Sequence, residues 1–198
     1  MPFPEPAVNL VLASTSPYRR TLLERLGLPF EVCAPHIDEQ ARPGEAPAAL
    51  AERLAHDKAA AVAARFPGAL IIGSDQTAVC GNEVLGKPGN HERAVQQLRK
   101  LSGKDAVFHT ALCLLSSSTG AWKVRSVPYR IRFRVLDDAL IERYLEREQP
   151  YDCAGSVKAD ALGIALIERM QGDDPTALMG LPLIALVDLL REFGQVVP

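Results

Sequence analysis

Apolar strands alternating with helices over the first half of the chain, then two long strands joined by a tight turn, predict a mixed α/β fold: a twisted sheet flanked by helices. Composition supports this. Of 198 residues, 47% are hydrophobic and 23% charged, the balance of an ordinary globular domain long enough to bury a sizeable core. The whole chain, 1–198, reads as a single domain, with no internal repeat, low-complexity tract or linker.

The first strand is Val8-Asn9-Leu10-Val11-Leu12-Ala13, short and rich in strand formers. Ser16 then reads as a helix N-cap and Pro17 as the first helical residue, with Leu22, Leu23 and Leu26 at helical spacing and Gly27 as the C-cap. A second strand, Phe30 to Ala34, enters a loop of prolines and acids from Pro35 to Pro47. An alanine-rich helix runs from there to about Phe66, where Pro67-Gly68 stops it. Ala69-Leu70-Ile71-Ile72-Gly73 is a fully apolar strand that delivers Ser74-Asp75-Gln76 at its exit. A turn at Gly81-Asn82 precedes Gly86-Lys87-Pro88. The helix from Glu92 to Leu101 turns Ala94, Val95, Leu98 and Leu101 inward. Two long strands follow, about 106–116 and 122–135, joined by Ser118-Thr119-Gly120. A helix from Asp138 to Arg147, a loop rich in Gly and Asp, and a helix from Pro182 to Phe193 complete the order.

Several function classes fall away at this stage. With 22 Lys+Arg against 24 Asp+Glu the formal net charge is −2, which gives no electrostatic case for binding nucleic acid or a membrane surface. No uninterrupted run of about 18 apolar residues exists to span a membrane. The opening MPFPEPAVNL has an acid and no basic segment, unlike a secretory signal. A soluble cytoplasmic protein is expected. Cys33, Cys80, Cys113 and Cys153 include no Cys-x-x-Cys pair and read as free thiols in a reducing compartment. His36, His56, His91 and His109 show no paired metal spacing and there is no Gly-x-Ser-x-Gly elbow, which argues against a zinc enzyme or a serine hydrolase. Arg130, Arg132 and Arg134 alternate along one strand face; a polyanion stripe is one reading, and a solvated, edge-protecting face is the favoured one.

Gly81 to Lys87 matches the first seven positions of a phosphate-loop pattern, but Pro88 stands where the hydroxyl that holds Mg²⁺ must be. Proline supplies neither hydroxyl nor N–H, so this is no P-loop, although Lys87 remains available to a phosphate in another geometry. Ser14-Thr15-Ser16-Pro17-Tyr18-Arg19-Arg20 is more informative. Acids are the usual residues of a helix's first turn, and two arginines there make sense beneath an anion such as a phosphate. Ordinary capping with surface arginines explains the same residues, and they leave both readings open. Lys58 lies on the inward stripe with Leu54, Ala61 and Val62; it either snorkels to water or reaches a phosphate in a cleft. Asp75 leaves the end of the most apolar strand, where ligand sites of α/β sheets gather, as a cap, a base or a metal ligand. With Asp38-Glu39 it offers oxygen ligands only, which suits Mg²⁺ or Mn²⁺ and a metal-assisted reaction on a polyphosphate.

Taken together, Leu12 to Arg20, Asp38-Glu39, Lys58, Gly73 to Gln76, Gly86-Lys87-Pro88, Cys153-Ala154-Gly155-Ser156 and Gly180-Leu181-Pro182-Leu183 resemble the Maf family of nucleoside triphosphate pyrophosphatases over nearly the whole chain. The resemblance implies a two-lobed mixed α/β fold around a nucleotide cleft. It implies hydrolysis between the α- and β-phosphates with a divalent metal, Mg²⁺ or Mn²⁺. Carried over by motif, Ser14, Arg19, Arg20, Lys58 and Lys87 hold the triphosphate, and Glu39 and Asp75 serve the metal and its water, with Asp75 the proton acceptor. Gln76 and the Cys153–Ser156 segment, with Lys158 nearby, resemble the branch acting on 7-methyl-GTP rather than the one acting on dTTP and UTP. There Tyr18, Gln76 and Asp160 occupy the positions associated with base choice; Trp and Glu stand at the first and last in that branch, so Tyr18 and Asp160 are conservative departures. The implied partner is a nucleotide, with no nucleic acid or membrane, and a homodimer is compatible with the pattern. Alternatives are a pyrophosphatase for dTTP, UTP or another non-canonical nucleotide, and a nucleotide-binding regulator of cell division.

Overall fold

Strands β1 (Leu10–Ala13), β2 (Glu31–Val32) and β3 (Leu70–Cys80) run parallel, connected through helices α1 (Pro17–Glu24) and α2 (Pro47–Ala63). The remaining strands are antiparallel: β4 (Glu83–Leu85) folds back on β3 through Gly81-Asn82, and β5 (Asp105–Ser116), β6 (Trp122–Phe133) and β7 (Ile167–Gln171) follow side by side. The sheet order is β2-β1-β3-β5-β6-β7, with β4 on the far end of β3. Helices α3 (His91–Leu101), α4 (Asp138–Glu148) and α5 (Leu183–Glu192) complete the set. This is the mixed α/β sheet flanked by helices that the sequence predicts. The computed structural model describes residues 9–197; Val8 and the opening segment read for a secretory signal lie outside the described residues.

Local signals account for most of these elements. Ser16 caps α1 by accepting from the backbone N–H of Arg19, with Pro17 as the first helical residue. Asn90 caps α3 in the same way, and Arg99 and Lys100 in its last turn complement the helix dipole. All four residues expected to face inward on α3, Ala94, Val95, Leu98 and Leu101, are buried. Side chains alternate across the strands, so Leu10, Leu12 and Ile72 pack beneath α1 and α5 on one face. Val11, Ala13 and Ile71 meet Ala51, Ala55 and Ala59 of α2 on the other. Beyond these, Phe108, Ile131 and Phe133 join α3 and α4 in a separate core, the second lobe.

The structure departs from the sequence reading at three strands, β3, β4 and β7. β3 does not end at Gly73. It continues through Ser74-Asp75-Gln76 to Cys80, because β5 pairs with it from Leu70 to Val79 and supplies backbone partners throughout. β4 and β7 are short strands where only turn and loop were expected. The favoured reading of the arginine stretch, a solvated face, agrees with the structure: Arg130 of β6 and Arg134 just beyond it are exposed, and Arg132 reaches Asp105 at 3.5 Å.

Candidate active site

The parallel part of the sheet stops before β3 does. β1 ends at Ala13, opposite Gly73, and beyond that point β3 has lost its parallel neighbour. Chain leaving β1 turns into α1, and the exposed flank of β3 becomes the floor of a cavity of about 740 Å³ between the two lobes. Ligand sites of α/β sheets lie beyond the carboxyl ends of parallel strands for this geometric reason. Ser14, Tyr18, Arg19, Glu39, Lys58, Asp75, Gln76, Lys87 and Asp160 all line this cavity, so it gathers nearly every residue singled out from the sequence.

Lys58 is delivered by close packing. A Cβ at Gly73 would sit 2.0 Å from the carbonyl oxygen of Ala55, so only glycine lets α2 approach β3 this closely. Less than one turn further along α2, the ammonium of Lys58 donates to Oδ1 of Asp75 at 2.6 Å and lies 2.8 Å from Oε1 of Glu39. Lys58 is only 5% exposed and Asp75 is also buried, whereas Glu39 reaches in from the loop before α2. Partial burial raises the Glu39 carboxyl, but the hydrogen bond and charge of Lys58, with the charges of Lys87 and Arg19, outweigh it and hold Glu39 below its ordinary value. The snorkelling alternative for Lys58 is thereby removed: its charge is satisfied inside the cleft.

Arg19 points inward from the first turn of α1. Its Nε donates to the carbonyl of Gly180 at 2.8 Å, and Nη1 lies 3.5 Å from the Ser14 hydroxyl. Gly180 adopts φ 100°, a left-handed conformation suited to glycine, which turns that carbonyl toward the arginine. Burial works against the charge of Arg19, and the carboxylates of Asp75 and Glu39 act to keep it. Arg20 is elsewhere. Neighbouring helix residues point about 100° apart, and Arg20 pairs with Glu24 at 3.1 Å on the solvent side, outside the cavity lining. Asp38 does not line the cavity either; it accepts from the backbone N–H of Gln40 and shapes the Glu39 turn.

Gln76 is committed to scaffolding on its nitrogen side. Its Nε2 donates to Thr110 Oγ1 and lies 3.0 and 3.1 Å from the carbonyls of Ala177 and Leu178, tying β3 to the turn that ends at Gly180. Also in the cavity lining, the ring of Tyr18 lies with the ammonium of Lys158 5.9 Å from its centroid, and its hydroxyl is 3.5 Å from Asp152. Burial, aided by Cys153 and Asp152, pushes the Tyr18 hydroxyl up to about 12, so it remains a donor. Lys158 is paired with Glu148 at 3.2 Å, and Asp160 is exposed on the cavity rim.

Asp152 has no sequence signal of its own, and neither does the support of Lys87. Ser156 is fully buried at φ 57°, and its hydroxyl donates to Oε1 of Gln97 at 2.6 Å, while Nε2 of Gln97 donates to the carbonyl of Gly86 at 3.0 Å. This latch ties the Gly86-Lys87 loop to the 153–156 segment. A polar α3 residue and a buried serine give no pattern that links them; only the fold does.

Among the described residues no group of three or more His, Cys, Asp or Glu side chains is placed to hold a metal ion, and no helix is long and apolar enough to cross a membrane. Glu39 and Asp75 are the pair the cleft offers. Their two oxygens already converge on one cationic atom, the Lys58 nitrogen, and both are hard oxygen donors. Mg²⁺ and Mn²⁺ commonly take one or two carboxylates and fill the remaining positions from water and substrate phosphates, so this donor set fits such an ion.

Over nearly its whole length the chain is similar to known proteins. Relatives named 7-methyl-GTP pyrophosphatase include one from Nitrosococcus oceani, 56% identical over 98% of this chain and 97% of its own length. Another, from Thiobacillus denitrificans, is 60% identical over 94% of this chain and 92% of its own. A third, from Pseudomonas syringae pv. tomato, is 55% identical over 96% and 99%. The family model described as Maf-like protein matches residues 9–193, so this chain, with its carboxylate pair and cations gathered beyond the end of β1, belongs to the Maf family.

Proposed function

We propose that this protein is a nucleoside triphosphate pyrophosphatase that hydrolyses 7-methyl-GTP to 7-methyl-GMP and pyrophosphate. The observation that carries the reading is the single cluster of Lys58 between Asp75 and Glu39, walled by Arg19 and Lys87, in one cavity. A triphosphate needs several cations for its oxygens, and cleavage needs a carboxylate that takes the proton of the attacking water. Both are present within reach of one another.

In this reading Arg19, Ser14 and Lys87 donate to the phosphate oxygens, and the two cations disperse the charge that grows on the leaving pyrophosphate. Lys58 adds its charge at the same place. Asp75, buried on the rigid β3, accepts the water proton as the new phosphorus–oxygen bond forms and the α–β bridging bond breaks. Arg20, on the solvent side, is left out of the substrate contacts proposed here. Glu39 and Asp75 would hold the divalent ion, which when bound supplies Lewis-acid neutralisation of phosphoryl oxygens.

The base end supports a purine that carries positive charge. Methylation at N7 leaves a delocalised cation on guanine, and the Tyr18 face attracts such a ring by roughly 0.5–2 kcal/mol. Asp152, 3.5 Å from the Tyr18 hydroxyl, and Asp160 add carboxylates to the cavity lining. The relatives named 7-methyl-GTP pyrophosphatase point to the same base. Steady-state kinetics across 7-methyl-GTP, GTP, dTTP and UTP test it. kcat/KM is expected to be highest for 7-methyl-GTP; dTTP or UTP as the best substrate would overturn the base assignment.

A further inference from the structure

We propose that Lys58 is the resident cation of the Glu39–Asp75 pair in the free protein, and that it keeps divalent metal out until a triphosphate draws its ammonium away. Only the identity of the displacing ligand rests on the pyrophosphatase reading above; the exclusion itself rests on geometry. Oδ1 of Asp75 lies 2.6 Å and Oε1 of Glu39 2.8 Å from the same nitrogen. A divalent ion shared by the same two carboxylates would sit roughly 2.0–2.1 Å from their oxygens in the case of Mg²⁺, within a few ångströms of the ammonium, and a like charge that close is repelled strongly in a partly desolvated cleft. The two cations therefore compete for one position.

Lys58 holds that position firmly. Its side chain is buried, and among the described residues its ionic partners are these two carboxylates. What releases it has to be another anion at the same depth. Phosphate oxygens lying between Arg19 and Lys87 would be that anion, since all three cations line the one cavity. The ammonium then exchanges carboxylate for phosphate, and the freed carboxylates accept the metal. Nucleotide and metal thus enter as partners, and metal alone binds poorly.

The test is Mn²⁺ binding to nucleotide-free protein, read by loss of the free-ion electron paramagnetic resonance signal. Lys58→Met is expected to bind Mn²⁺ at least about tenfold more tightly than the wild type, with Lys87→Met within about threefold of it. Adding Asp75→Asn to Lys58→Met is expected to cancel the gain. Mn²⁺ is also expected to raise the melting temperature of Lys58→Met and not that of the wild type; Lys58→Gln, closer in length, gives the same comparison if the methionine variant folds poorly. Equal affinity of wild type and Lys58→Met would overturn the proposal, and so would equal gains in Lys58→Met and Lys87→Met. A failed pyrophosphatase reading would show separately, as wild-type protein that releases no pyrophosphate whatever its Mn²⁺ affinity.

Discussion

In the proposed reaction the heaviest chemical demand on any single residue falls on Asp75, which is buried, fixed on a central strand and paired with an ammonium at 2.6 Å. Asp75→Asn keeps the shape and leaves Lys58 its second carboxylate, Glu39, so the fold is expected to hold. An amide cannot take the proton from water. The expected result is a fall in kcat of about 10²-fold or more with nucleotide binding retained, measured by single-turnover kinetics beside titration calorimetry. Near-normal kcat would remove Asp75 from the chemistry. On the cavity rim, Asp160→Asn is expected to shrink the ratio of kcat/KM for 7-methyl-GTP over GTP, toward about tenfold less if the whole charge effect is lost. An equal fall for both substrates would mean that Asp160 does not sense the base.

Elements place these residues, and two of them are open to direct test. The loop carrying Glu39 is clipped to α2 by Arg53, whose Nε and Nη2 lie 2.7 and 2.8 Å from the two oxygens of Glu45, while Nη2 also donates to the carbonyl of Gln40. The Arg53 hydrogen bond, with the backbone N–H of Arg42, pushes the Glu45 carboxyl from 4.5 down to about 2. A depressed folded value means the clip stabilises fully above about pH 4.5 and is lost as pH falls toward 2. Melting temperature is therefore expected to fall less steeply over that window in Glu45→Gln than in the wild type; parallel curves would deny the clip. Where β3 meets α2, Gly73→Ala forces a methyl into the Ala55 carbonyl and is expected to cost about 1–3 kcal/mol or more, with loss of the Lys58–Asp75 contact and of activity. Unchanged denaturation would contradict the close approach. The cap of α1 and the inward face of α3 were legible because their signals lie within a few residues. β3 beyond Gly73 was not. Ser74 and Gln76 read as loop because their partners, the Ala111 and Gly180 carbonyls and Thr110, sit far along the chain.

Across the whole molecule, the site exists because a sheet changes from parallel to antiparallel at β3. Glu39 comes from a loop, Lys58 from α2, Asp75 from β3, Arg19 from α1 and Lys87 from the turn before α3, and no pattern in one segment announces the others. Residue by residue, the sequence left Arg19 and Lys58 between ordinary and functional readings; the family resemblance grouped them, and the fold explains why they meet. It also separates Arg20, which adjacent spacing in the chain had joined to Arg19. One measurement tests the central claim most directly: ³¹P NMR of purified protein turning over 7-methyl-GTP with Mg²⁺ or Mn²⁺. The expected result is 7-methyl-GMP and pyrophosphate in equal amounts from the first time point. Orthophosphate with a nucleoside diphosphate as the first products, or no turnover at all, would contradict it.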